Sequence, residues 1–259
     1  MTLIVTTPGR TDKEHIGQAK KIAAKLNVPF IERRKRSISR MQNDTNADIV
    51  LVKKERLELY SLGAAEPFFF HPNSAAFRLK RLINGEQDSM LEATGLTKGD
   101  SFLDTTAGLS SDSIIASYAV GNSGMVHACE KNEIIAYLVG KGLKEYTSDN
   151  ELLNECMRWI KLFQEDSVNF LKRCEDNAYD VVYMDPMFEE EIVESSNFQA
   201  LRKVGMQDTL TAEWVKEAIR VAKRRVVLKA HFRSPLFQQY GFSQQIRLTS
   251  KFHYGILEK

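Results

Sequence analysis

The densest chemistry in this sequence lies where a short apolar run, Val181–Met184, meets Asp185-Pro186-Met187-Phe188. Proline fixes the chain as it leaves a strand and biases the preceding aspartate towards an extended backbone. A carboxylate, a rigid turn and an aromatic ring are thereby brought together. An exocyclic amine on a flipped base suits such partners. Asp185 and nearby main-chain carbonyls would accept its N–H bonds, and Phe188 would offer a stacking face. The nitrogen lone pair would then be aimed at an electrophilic methyl. A plain strand-ending Asp-Pro turn with a buried Phe reads the same way in sequence, and both readings stand at this point.

Four more acids lie at or beside comparable places. The run "SFLDTTAGLSSDSIIASYA" is a strand, a tight turn at Gly108 and a helix. It contains neither GxGxxG nor GxxxxGK[ST], so a pyrophosphate lacks its usual glycine cradle. Carboxylates at Asp104 and Asp112 flank the turn instead, an arrangement that suits a cationic ligand, or it is an ordinary strand–loop–helix turn. Glu130 follows 22 residues beyond Gly108. That is the spacing at which an acid commonly accepts from ribose hydroxyls, although it could equally cap the helix that begins near Asn132. Asp166 and Ser167 end the next strand. Asp166 can accept from an adenine amino group, and Ser167 reads more simply as a helix cap.

These residues need elements to hold them. Short strands at Phe102–Asp104, Met125–Ala128, Trp159–Phe163, Asp180–Met184 and Arg225–Lys229 alternate with helical segments. This is the pattern of an α/β doubly wound, Rossmann-like, mostly parallel sheet. The tail "FSQQIRLTSKFHYGILEK" is too short for a crossover helix and reads as a terminal antiparallel strand pair. Before them, Leu3–Thr6 is a strand and Asp12 caps a helix to about Leu26. "VPFIERR" reads as a strand, Ser37–Asn46 as a polar stretch, and "ADIVLVKKERLELY" as a hairpin. A helix is expected from about Ser74 to Ile83. The expected division is a small basic α/β domain, residues 1–65, followed by a larger one, residues 66–259.

Taken in order, the glycine turn, Glu130, Asp166 and DPMF resemble a class I S-adenosylmethionine-dependent methyltransferase acting on the amino nitrogen of a base. More closely, "LDTTAGLSSDSIIAS", "CEKN", "DVVYMDPMF" and "FFFHPNSAAFRLKR" resemble the ribosomal small subunit methyltransferase J family, over roughly residues 45–259. The resemblance implies transfer of a methyl from S-adenosyl-L-methionine to guanine N2 of 16S rRNA. It implies cofactor contacts at Asp104, Gly108, Ser111, Asp112, Glu130, Lys131, Asp166, Ser167 and Asp185. It implies catalytic roles for Asp185, Pro186 and Phe188. Two places depart from the family pattern. Ser110-Ser111 stands where the family has Gly-Arg, and Glu189-Glu190-Glu191 follows DPMF where the family is basic.

Charge is distributed unevenly. The formal net charge is +2 over 259 residues. Residues 10–40 carry ten basic and three acidic side chains, and residues 201–233 carry nine and three. Residues 130–194 carry seven and sixteen. Either basic segment could hold RNA phosphates or be a solvated face. The average excludes a polybasic or histone-like binder. No apolar run approaches the ~20 residues of a membrane span, no signal peptide is recognisable, and three cysteines without CxxC spacing point to a reducing compartment. The expectation is a soluble cytoplasmic enzyme with no metal and an RNA partner. Its rivals are a methyltransferase of a small molecule or protein and a non-catalytic RNA-binding relative. A nicotinamide oxidoreductase fits worst, because the later fingerprint glycines are missing.

Overall fold

The structure, a computed structural model, describes residues 2–186 and 209–259. The chain divides between His71 and Pro72 into two compact units.

In the first unit, β1 (Leu3–Thr6), α1 (Lys13–Lys25), α2 (Ile38–Thr45), β2 (Asp48–Val52) and β3 (Leu57–Tyr60) build a three-stranded sheet in the order β1-β2-β3. Strands β1 and β2 are parallel, and β2 and β3 form the antiparallel hairpin. Asp12 caps α1 by accepting from the His15 N–H. The hairpin tip serves the core: buried Glu58 accepts from Lys53 Nζ at 2.7 Å, Arg56 Nε at 2.8 Å and Tyr60 Oη at 2.8 Å. Phe68 exchanges both backbone hydrogen bonds with Leu59 at 2.8 Å, so the segment after the Gly63–Pro67 junction still belongs to this unit.

Two expectations are corrected here. "VPFIERR" is not a strand; it touches the sheet at one bridge, Val5 to Phe30. Pro29 offers no N–H, and left-handed backbone at Arg34 and Lys35 cuts the extended run short. Residues 38–45 are a helix rather than an irregular polar stretch. Ser37 caps it by accepting from the Arg40 N–H, and Met41 is fully buried against Ile4, Ala47 and Ile49. The signal was Ile38 and Met41 at helical spacing behind a serine cap.

The second unit holds α3 (Asn73–Ile83), α4 (Ser89–Thr94), β4 (Ser101–Asp104), α5 (Ser111–Val120), β5 (Met125–Glu130), α6 (Glu133–Glu145), α7 (Glu151–Arg158) and β6 (Ile160–Gln164). Then follow α8 (Ser167–Arg173), β7 (Tyr179–Met184), α9 (Ala212–Val221), β8 (Ala222–His231), α10 (Leu236–Gln239), β9 (Ser243–Gln245) and β10 (Phe252–Glu258). Trp159 closes α7 rather than opening β6, because its N–H is spent on the Glu155 carbonyl. The seven-stranded sheet runs β6-β5-β4-β7-β8-β10-β9. The first five strands are parallel, and β10 and β9 close the edge antiparallel.

The chain winds outward from β4 through β5 to β6, then crosses back to β7 on the other side of β4. The β4–β7 seam is therefore the switch point, outside whose strand ends α/β sheets bind ligands. Apolar strands bury this centre on both faces: Phe102, Leu103, Val181, Val182 and Met184 are all inaccessible. Tight packing continues at Gly124, where an added Cβ would lie 2.5 Å from the Val120 Cβ and 2.7 Å from the Asp100 carbonyl. Among the described residues no helix is long and apolar enough to cross a membrane.

Candidate active site

Asp104 ends β4 and is almost wholly buried. It accepts from Thr106 N at 2.9 Å, Thr106 Oγ1 at 3.2 Å and Ser113 Oγ at 2.5 Å. Burial pushes its carboxyl up to about 7, with Ser113 and Thr106 offsetting part of the rise. No cation pairs with it among the described residues.

The turn after Asp104 is stitched to both neighbouring strands. Thr105 donates from N and Oγ1 to the Tyr183 carbonyl, at 2.9 and 2.8 Å, and Ala107 N donates to the Cys129 carbonyl at 2.9 Å. Gly108, at φ +48°, donates to Glu130 Oε2 at 3.2 Å. Glu130 Oε1 accepts from Asn132 N at 2.8 Å, so Asn132, not Glu130, caps α6. Ser110 is left-handed at φ +58° and gives α5 no side-chain cap. Its Oγ is buried with no hydrogen-bond partner among the described residues. Ser111 opens α5 and Asp112 lies in its first turn.

Asp112 is not the open carboxylate that the sequence suggested. It accepts from Arg78 Nη1 at 2.5 Å, Tyr183 Oη at 2.9 Å and Lys229 Nζ at 3.3 Å. Burial alone would raise it, but Lys229 and Arg78 outweigh burial and hold it well below the usual carboxylate range. Arg78 reaches on to Asp88 with two bonds of 2.8 and 2.9 Å. Lys229 reaches on to Asp185 Oδ2 at 2.6 Å. The result is a chain of alternating charge, Asp88–Arg78–Asp112–Lys229–Asp185, in which every side chain is largely buried. The expected pair of unpartnered carboxylates for a cationic ligand is therefore replaced by acids already neutralised, or in Asp104 shielded, from within.

Asp185 leaves β7 at the switch point. Its N–H donates to Thr106 Oγ1 at 2.8 Å and its carboxylate takes Lys229, so backbone and side chain are each fixed from a different strand end. Pro186 is buried behind it. Phe188 lies outside the described residues, as does the acidic stretch 189–194.

At the far side of β5, Lys131 pairs with Asp166 at 3.1 Å. Asp166 caps α8, accepting from Val168 N and Asn169 N at 3.1 Å each. Ser167 is not the cap; its hydroxyl donates to the Thr105 carbonyl and so braces the turn after β4. Sequence reasoning missed Arg78, Lys229, Thr106 and Tyr183. Lys229 did leave a signal: it interrupts the apolar run Val226–Ala230 of a central strand, where a charge is rare unless paired. Arg78 stood inside a quoted motif without a role, and Thr106 had no signal.

The turn after β4, an acid after β5 and an Asp-Pro leaving β7 lie together at the carboxyl ends of adjacent parallel strands. The family model described as "Putative SAM-dependent methyltransferase" matches residues 34–253. The uncharacterized protein YpiP of Bacillus subtilis is 42% identical over 255 residues, covering 98% of this chain and 99% of its own. Ribosomal RNA small subunit methyltransferase J of Coxiella burnetii is 28% identical over 240 residues, covering 88% of this chain and 86% of its own. A solved SAM-dependent methyltransferase from Neisseria gonorrhoeae shares the fold with a TM-score of 0.65 at 18% identity, covering 99% of this chain and 96% of its own. With most of its length matched and its sheet wound in the same way, the chain belongs to the S-adenosyl-L-methionine-dependent methyltransferases.

Proposed function

We propose that this methyltransferase acts on the exocyclic N2 of a guanine in 16S rRNA. The observation that carries the reading is Asp185-Pro186 at the switch point, with Asp185 fixed by both Thr106 and Lys229. The distant relatives named ribosomal RNA small subunit methyltransferase J support the choice of RNA.

S-adenosyl-L-methionine, when bound, supplies an electrophilic methyl on a sulfonium. The residues present fit it. The buried Ser110 hydroxyl and the uncapped start of α5, with Gly108 and Ser111, are polar groups suited to its amino-acid end. Glu130 suits the ribose hydroxyls, and Asp166 with Lys131 the adenine. Asp104, Asp112 and Ser167 act one step back, holding the turn and the Asp185 partner in place. Asp185 and the Pro186 carbonyl accept the two N–H bonds of the amine, and Phe188 stacks on the base. The amine sheds its proton during or after attack, so no strong base is required. Rate comes mainly from orientation.

The test is incorporation of labelled methyl into intact 30S subunits, stripped 16S rRNA, protein and a small-molecule panel. N2-methylguanosine in the nucleoside digest is the expected product. Label only in a protein or small molecule overturns the RNA reading in favour of the one suggested by Glu189–Glu191. RNA binding without any incorporation identifies a relative that has lost turnover.

A further inference from the structure

We propose that the first unit carries a docking site for an RNA strand, an open concavity lined by Lys20, Phe30 and Arg34. The proposal rests on the RNA reading above and adds a place on the molecule that holds the substrate apart from the methyl-transfer residues.

The concavity measures about 660 Å3 and is lined by Lys20, Phe30, Ile31, Glu32, Arg34 and Arg36. Lys20 Nζ stands 5.8 Å from the centre of the Phe30 ring. Arg34 is 81% exposed, and the acid within reach, Glu32 at 3.7 Å, is itself 60% exposed. Such a surface pair holds its cation weakly. Lys35 beside it is exposed and makes no ion pair among the described residues.

Arg33 and Arg36 do different work. Arg36 Nη2 donates to the Glu32 carbonyl at 2.7 Å and its Nε to the Arg33 carbonyl at 3.1 Å. Arg33 Nε returns to the Arg36 carbonyl at 2.7 Å. These two guanidiniums close the turn, and the residues between them, Arg34 and Lys35, sit at φ +45° and +63°. Side-chained residues rarely adopt that conformation, and two in succession are rarer. The turn thus spends two arginines and two strained residues on holding two cations outward. Strain kept in place by its surroundings is characteristic of ligand-contacting segments.

A set of outward cations around one half-exposed aromatic face matches a single strand, whose phosphates meet the charges while a base stacks on the ring. A membrane surface would call for a broad apolar helix face beside the cations, and α1 instead turns Ala19, Ile22 and Ala23 into the core.

The test uses the full chain and a fluorescein-labelled oligouridylate of about twelve nucleotides, within the usual site size, read by anisotropy at several salt concentrations. Lys20→Glu/Arg34→Glu/Lys35→Glu is compared with a charge-matched set on the second unit, Lys98→Glu/Lys144→Glu/Lys216→Glu. The first set is expected to weaken binding about tenfold or more and to flatten the salt dependence, since each lost phosphate contact removes roughly 0.7 from the slope. The second set should change both far less. Calorimetric S-adenosyl-L-methionine binding should match wild type in both, which shows that they fold. Equal losses in the two sets, or none, overturn the docking site while leaving the RNA reading intact. Wild type that binds neither the oligouridylate nor 16S rRNA overturns the RNA reading and the site with it. Binding to phosphatidylserine vesicles in place of RNA assigns the patch to membranes and overturns the proposal.

Discussion

Residues 10–40 and 201–233 look alike as sequence, with ten and nine basic side chains against three acids each. In the folded protein they differ. The described part of the second, residues 209–233, runs through α9 and β8, inside a domain rich in acids. Arg220 takes Asp176 and Glu217, Lys223 takes Asp180, Arg224 takes Asp100, Arg225 takes Glu258, and Lys229 takes Asp112 and Asp185. The first segment borders a small sheet with few acids. Arg10, Lys13, Lys21 and Lys35 form no ion pair among the described residues, and Arg36 and Arg40 share one acid, Asp44. Charge counted along a chain therefore says little about charge offered to a partner. What matters is whether the topology brings acids to it. Here Arg220, Lys223, Arg224, Arg225 and Lys229 of the second segment are committed to carboxylates of its own domain, whereas Lys20, Arg34 and Lys35 of the first are left facing water.

The sharpest way to break this picture is at the end of the spent chain. Asp185→Ala should lower methyl transfer roughly a hundred- to a thousandfold, the scale on which loss of a pre-positioned polar group acts. S-adenosyl-L-methionine affinity, measured by calorimetry, should stay close to wild type. Full activity in this variant would remove Asp185 from the chemistry and leave Lys229 a purely structural partner.

Lys229 is the next test. Lys229→Met leaves two largely buried carboxylates, Asp112 and Asp185, short of a cation. Breaking a buried pair from one side is costly, and with these side chains partly exposed the expected loss is roughly 3 kcal/mol. Urea unfolding followed by circular dichroism measures it, and Lys229→Arg should recover most of the loss. A change below about 0.5 kcal/mol, the ordinary range for a surface site, would mean that the second segment is no more committed than the first.

How much of this was legible beforehand follows the same line. The sheet, its winding and the acids at its strand ends came through because apolar runs and Asp-Pro are local signals, readable one segment at a time. Lys229, Arg78 and Thr106 did not, because each joins the site through a bond to a distant residue: Arg78 to Asp112, 34 residues on, Thr106 to Asp185, 79 on, and Lys229 to Asp112, 117 back. Helix α2 was hidden by its polar composition, since a single buried methionine and a serine cap specify it. The same limit applies to Asp166 and Ser167. Both were read at the right place, but which one caps α8 depends on Ser167 finding the Thr105 carbonyl across the sheet.

Asp104 and Asp112 sharpen the comparison within one turn. Both are largely buried, but only Asp112 has cations. Asp104, raised to about 7, keeps a proton in the folded state that the unfolded chain has released above about pH 4. The stability this group contributes is complete below its unfolded value, falls by about 1.4 kcal/mol per pH unit in between, and is lost as pH rises through about 7. Asp104→Asn has no such proton to lose. Its stability relative to wild type should therefore improve by that amount between pH 5 and pH 6 in urea titrations. A constant difference across that interval would show that Asp104 is ionised in the fold, and that pairing with a cation is not what separates the two acids.

The smallest expected effect bears most directly on the first segment. Lys20→Met and Arg34→Met remove charges that face water and hold no buried acid, so each should shift unfolding free energy by less than about 0.5 kcal/mol. In Arg34→Met the left-handed backbone is unchanged, because Arg33 and Arg36 close that turn with bonds to main-chain carbonyls. Affinity for RNA should fall in the same variants, and a segment whose charge is free to bind must show this separation. A loss of 2 kcal/mol or more in either variant would place these cations in the fold's own ion-pair economy, and the contrast between the two basic segments would disappear.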